Sequence, residues 1–161
     1  MKTIAAADIE SVLDHMARAS EKEIRDIAER MQQQQPFVMV YLLAVEEQIS
    51  EGQEQGWLMS LGGAIFEAIS QANPILRQVT GDELLAAEEE NQKMLEGLEA
   101  GSEMDFASAV DDLHTTYNQQ PLLSVVLNEL MADYADEPEL APEKIGLALL
   151  HLKTVIDCLD Q

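Results

Sequence analysis

Cysteine is nearly missing from this chain. Cys158 stands alone among 161 residues, so neither an internal disulfide nor a multi-thiolate metal site can form. That usage points to a reducing compartment and to a thiol that behaves as a small buried apolar group. Aromatic residues make up only 4%: Phe37, Tyr41, Trp57, Phe66, Phe106, Tyr117 and Tyr134. A core must then be assembled from Leu, Ile, Val, Met and Ala, a palette that suits helices better than sheets. Bases are scarce as well. Nine Lys and Arg face 31 Asp and Glu, for a formal net charge of −22, which repels phosphate and argues against direct nucleic-acid binding. Long hydrophobic runs are absent. The longest, Phe37 to Val45, is too short to cross a bilayer, and the opening MKTIAAADIE lacks the apolar stretch of a secretory signal. These features together predict a cytoplasmic protein.

Helix signals, by contrast, are dense. Ser20 with Glu23 and Thr80 with Glu83 form S/T-x-x-E capping boxes, in which each side chain satisfies an orphan backbone N–H. Asp8 is expected to cap a first helix with Ile9, Val12, Leu13 and Met16 as its apolar face. Ile24, Ile27, Ala28 and Met31 give the next helix its stripe. Gln32–Gln35 and Asn118–Gln120 read as exposed helix ends. Pro36 and Pro121 open fresh helices, since proline fits the first helical turn and disfavours helix at the residue before it. The helix from Pro36 to about Ser50 is apolar nearly all round and is expected to be wrapped by others on several sides. Trp57 begins a helix that Asn73-Pro74 stops. Gly62-Gly63 in its middle predicts an unusually close neighbour, because each glycine costs about 1 kcal/mol against alanine. The acidic helix 81–100 has sparse apolar positions and is expected to be the least buried. Phe106, Val110, Leu113 and Tyr117 mark another helix, and Ile145, Leu149, Leu152, Ile156 and Leu159 the last.

The expected fold is therefore all-α, one domain over 1–161 of seven or eight helices. An internal repeat is also suggested. Gln34-Gln35-Pro36 aligns with Gln119-Gln120-Pro121, and Gly62 and Ala64 align with Gly146 and Ala148. This reads as two three-helix units, 20–72 and 102–160, joined by the acidic helix. Chance likeness of two proline-initiated helices is the alternative.

No phosphate loop, nucleophile elbow or dinucleotide fingerprint is present. Asp26-x-x-Glu29 and Asp111-x-x-His114 together make a weak four-ligand set of the carboxylate-bundle kind, but solvated polar positions are the simpler account. His151 and Cys158, seven apart on one helix, read as a buried imidazole and a packed thiol rather than a catalytic pair. Neither catalytic residues nor a cofactor or metal site is expected. Charge is the one feature with a functional direction. Residues 81–161 hold 19 acids against 3 bases, and 82–112 eleven acids against Lys93 alone. Asp82, Glu83, Glu88, Glu89, Glu90, Glu96, Glu99, Glu103 and Asp105 are the candidate surface for a protein partner, a basic one by complementarity. Three further readings are a DNA-mimic inhibitor of a nucleic-acid-binding protein, a carboxylate-bundle metal protein and a homo-oligomer.

Overall fold

A computed structural model describes residues 1–49, 56–100, 116–136 and 142–160. Among them are seven helices and no strand: α1 (Ala6–Arg18), α2 (Glu21–Gln34), α3 (Pro36–Ile49), α4 (Trp57–Ala72), α5 (Gly81–Ala100), α6 (Gln120–Asp136) and α7 (Pro142–Leu159). The all-α class is as expected. Among the described residues no helix is long and apolar enough to cross a membrane. The expected helix around Phe106, Val110 and Leu113 lies outside the described residues, as does most of the expected loop before Pro142.

Both capping boxes form. Ser20 N–H donates to Glu23 at 2.8 Å while Glu23 N–H donates to the Ser20 hydroxyl at 3.3 Å, and Thr80 with Glu83 repeats those two distances. α1 departs from expectation. It begins two residues before Asp8 with Ala5 as its N-cap, and no side chain caps it; Asp8 instead lies in the first turn, where its charge favours the positive helix end. α4 is capped from a distance. Gly56, at φ +100°, supplies no side chain, and buried Glu46 of α3 accepts from Gly56 N–H at 3.0 Å and Met59 N–H at 2.9 Å. The orphan amides of one helix thus stabilise a carboxylate buried on another.

α4 and α7 are the central helices. Leu58, Ile65, Phe66 and Ile69 of α4 are buried with Leu152, Val155, Ile156 and Leu159 of α7, and a single apolar cluster takes in residues from α1 to α7. The glycine pair does bring a neighbour close. A Cβ at Gly62 would stand 2.3 Å from Leu42 Cδ1 of α3, whereas one at Gly63 would meet Met16 Cε at 3.6 Å. Gly146, aligned with Gly62 in the sequence, has different surroundings: it is exposed and nothing lies within 4 Å of its Cβ position.

α3 is not wrapped as its composition suggested. Val38, Leu42, Val45 and Ile49 are buried, but Phe37, Val40 and Leu43 are exposed. Nor is α5 the least buried helix. It packs along α7 and against α3, with Leu84 and Asn91 buried, while α2 exposes most of its surface.

Two glutamines expected at exposed helix ends are fully buried instead. Gln35 accepts from Val79 N–H at 2.9 Å and donates to Arg77 C=O at 2.8 Å. Gln119 accepts from Ile4 N–H at 3.2 Å and donates to Lys2 C=O at 3.2 Å. Each carboxamide grips a short segment through residues i and i+2, as a neighbouring strand would. Each gripped segment leads through one capping residue into a helix, α1 or α5. Each glutamine also starts a helix, with Gln35 C=O accepting from Met39 N–H and Gln119 C=O from Leu123 N–H. The packing follows the same exchange: α1 lies on α4 and α6, and α5 lies on α7 and α3. The two grips therefore set α1 and α5 in like surroundings, and they match Gln35 with Gln119, one residue off the Gln35–Gln120 alignment drawn from the sequence.

Candidate functional site

The acidic surface was expected on the helix that is α5, and its residues divide by helical phase. Asp82, Glu89, Glu90 and Glu96 are exposed. Glu89 is bonded to Lys93 at 2.6 Å, and each holds the other's charge: the ammonium keeps the carboxyl below its usual range, and the carboxylate raises the amine. Glu83 is committed to the helix cap and to Arg77 at 2.8 Å; the Thr80 bonds, then Arg77, hold its carboxyl below the ordinary value. Glu88 turns inward. The structure therefore keeps four of the expected acids on an open face and assigns two to internal contacts. Glu103 and Asp105 lie outside the described residues, as does the side chain of Glu99.

The inward face of α5 meets α3 and α7 at a half-buried polar cluster. Tyr41 Oη of α3 lies 2.6 Å from His151 Nδ1 of α7, with the rings edge to face at 5.5 Å between centroids. A Glu88 carboxylate oxygen stands 3.8 Å from the same nitrogen. Burial lowers the His151 pKa, and the Glu88 charge partly opposes this. Burial, then Glu88, pushes the Tyr41 phenol well above its usual value. At neutral pH the imidazole is thus neutral, and the same nitrogen faces both the Tyr41 hydroxyl and the Glu88 side chain. Cys158, one turn beyond Thr154, donates from Sγ to Glu83 C=O at 3.6 Å, and burial pushes its thiol up to about 11. It is a packed thiol, as its setting in the sequence implied.

Beside this cluster runs a closed network. Lys153 Nζ donates to Asn91 Oδ1 and to Asp157 Oδ2, both at 2.7 Å. Asn91 Nδ2 donates to Asp157 at 2.8 Å and to the Thr154 hydroxyl at 3.2 Å, and Tyr117 Oη donates to Asp157 Oδ1 at 2.6 Å. Lys153 also lies 4.8 Å above the Tyr117 ring. Such groups are costly to bury unless satisfied. Here they satisfy one another and tie α5 to α7.

Tyr41 and Asn91 did not stand out in the sequence, and Glu88 was expected on the acidic surface, because each acquires its role from another helix. One signal was available: Glu88 and Asn91 follow Leu84 at i+4 and i+7, the phase of the buried side. The proposed metal set is not assembled within the described residues. Asp26 and Glu29 are exposed on α2, Asp111 and His114 lie outside, and among the described residues no group of three or more His, Cys, Asp or Glu could hold a metal ion. A cleft between α1 and α4 is lined by Ile4, Asp8, Ser11, Val12, Ala68, Gln71 and Ala72. No family model matches the chain, and no curated protein or solved structure matches it either.

Proposed function

We propose that this chain is a non-enzymatic interaction module of the cytoplasm that presents an acidic helical surface to a basic protein partner. The observation that supports this reading is the open face of α5. Asp82, Glu89, Glu90 and Glu96 are exposed there with Lys93 as the one base on that helix, in a chain of net charge −22. A field of one sign speeds encounter with a partner of the other sign and fixes its orientation more than it adds final affinity.

The test is capture by the immobilised chain from extract of its native cell, with elution by salt. Bound proteins should be basic and should elute as the Debye length falls below about 8 Å. The variant Asp82→Lys, Glu90→Lys, Glu96→Lys should lose them while keeping its helical spectrum, because all three side chains are exposed and outside the internal networks. Glu88 is unsuitable for this purpose, since reversing it would disturb Tyr41 and His151. Undiminished capture by the reversed variant would show that the acidity serves solubility alone.

A further inference from the structure

The seam where α3 meets α5 carries apolar side chains that the fold does not require. Phe37 is 49% exposed, and Val40 and Leu85 are each 63% exposed. They belong to one strip. A Cβ on Gly81 would touch the Phe37 ring at 3.6 Å, and Tyr41 and Glu88 meet at His151 Nδ1, so the two helices advance together from Phe37 and Gly81 to Tyr41 and Glu88. Leu85 follows Gly81 by one turn, on the seam side of α5, and Val40 follows Phe37 by three residues, beside it on the outer side of α3.

The two glutamine grips supply an internal comparison. In the register set by the two glutamine grips, Ile4 corresponds to Val79 and Ile9 to Leu84, and all four are buried. In that register α1 and α6 make the equivalent seam, where Phe37 corresponds to Pro121, Val40 to Ser124 and Leu85 to Glu10. Ser124 accepts a hydrogen bond from Gln120 at 2.8 Å, and Glu10 is exposed. Val40 and Leu85 thus stand where the other seam carries Ser124 and Glu10, so the packing does not require an apolar residue at either position.

Acids edge the strip. Asp82 lies three residues before Leu85 and Glu89 four after it, both exposed, and Glu47 is exposed two turns beyond Val40. α3 has no base. A second copy of the chain would bring like charges together along this rim, so charge complementarity selects a cationic occupant. Among the described residues there is no strand edge to extend, whereas a seam between two helices running in the same sense offers a groove for a third. Resting on the interaction-module reading above, we infer that the α3–α5 seam is the docking groove for a basic amphipathic helix of a partner protein. Its apolar stripe would pack on Phe37, Val40 and Leu85 while its Lys and Arg meet Asp82, Glu89 and Glu47.

The probe is a labelled synthetic peptide of about 18 residues, with Leu at i, i+4, i+7 and i+11 and Lys or Arg elsewhere. The control has the same composition scrambled so that no apolar face forms. Binding to the full chain is read by fluorescence anisotropy at about 0.15 M salt. The helical peptide should bind at least about tenfold tighter than the scrambled one. Val40→Asp with Leu85→Asp should remove that advantage even though it adds negative charge, and Leu127→Asp with Met131→Asp, at exposed apolar positions of α6, should leave it intact. All four sites are exposed, so retained circular dichroism is expected in both variants. Equal binding of the two peptides overturns the groove and leaves the charge-based reading standing. Loss of binding in the Leu127, Met131 variant in place of the Val40, Leu85 variant overturns the location. Binding by neither peptide overturns both proposals.

Discussion

Gly62 permits a quantitative test of how α3 and α4 are packed. Replacing glycine by alanine inside a helix should stabilise it by about 1 kcal/mol through backbone entropy and burial. At Gly62 the new methyl would lie 2.3 Å from Leu42 Cδ1, and Leu42 is fully buried, so its side chain has to rotate within a filled core. Overpacking of that kind costs about 1–3 kcal/mol, so Gly62→Ala should be destabilising by about 1 kcal/mol net. At Gly63 the contact with Met16 Cε would be an ordinary 3.6 Å, and at Gly97 and Gly146 no atom lies within 4 Å. Those three substitutions should be neutral to stabilising by about 1 kcal/mol. Equilibrium urea unfolding followed by helical circular dichroism gives all four values on one scale. A double-mutant cycle isolates the cause: Leu42→Ala alone should cost about 2–5 kcal/mol and less in the Gly62→Ala background, where the methyl fills part of the cavity. Gly62→Ala as stabilising as Gly146→Ala, or a cycle with no coupling, would refute the close approach.

Gln35→Leu and Gln119→Leu should each cost about 1–3 kcal/mol in urea unfolding by stranding backbone groups at Val79 and Arg77 or at Ile4 and Lys2, while Gln34→Ala, at an exposed position, should stay within about 0.5 kcal/mol of wild type. The depressed pKa of His151 fixes a sign. Below its ordinary value of 6.5 the unfolded chain binds a proton that the folded chain resists, so stability from this group is lost as pH falls from there towards the folded pKa. Urea midpoints at pH 7.5 and 5.5 should therefore fall further for wild type than for His151→Gln, and equal falls would remove His151 as the cause. Cys158, with its thiol near 11, should react with iodoacetamide at pH 8 much more slowly than a free cysteine and at the ordinary rate in urea; fast labelling of the folded chain would contradict its packing.

What the sequence displayed was local. The capping boxes at Ser20 and Thr80, the start at Pro36, the stop at Asn73 and the tight approach implied by Gly62 all depend on residues within a turn or two, and the structure contains them, whereas α6 begins at Gln120, one residue before Pro121. What it concealed was partnership across the chain. Gln35 and Gln119 look like polar helix ends until segments 77–79 and 2–4 are laid beside them. α3 looks like a wrapped helix because hydropathy cannot distinguish side chains covered by this fold from those left open at the α5 seam. His151 was legible as buried, but its phenol and carboxylate neighbours come from α3 and α5, more than sixty residues away in the case of Glu88. The acid block read as one surface, yet a 3.6-residue period turns Glu88 inward and leaves Asp82, Glu89, Glu90 and Glu96 outside.

The reciprocal glutamine grips also bear on how the chain reaches its fold. Gln35 and Val79 are 44 positions apart, but Ile4 waits for Gln119, 115 positions later. Closing the longer loop costs more entropy before it gains a contact, so segment 2–4 should be the late-docking one, during synthesis above all. Nothing in the pattern makes that order necessary. The Met1 amine lies 3.7 Å from the Asp160 carboxylate, and Ile75, between α4 and α5, is almost wholly exposed. A circular permutant joined at the old ends and opened between Ile75 and Leu76 would place Arg77–Val79 at its second to fourth positions, where Lys2–Ile4 now stand. Its grips would then close in the opposite sequence: Ile4 would find Gln119 early, and Val79 would wait for Gln35. The order of assembly is set by where the chain is opened and not by the grips themselves.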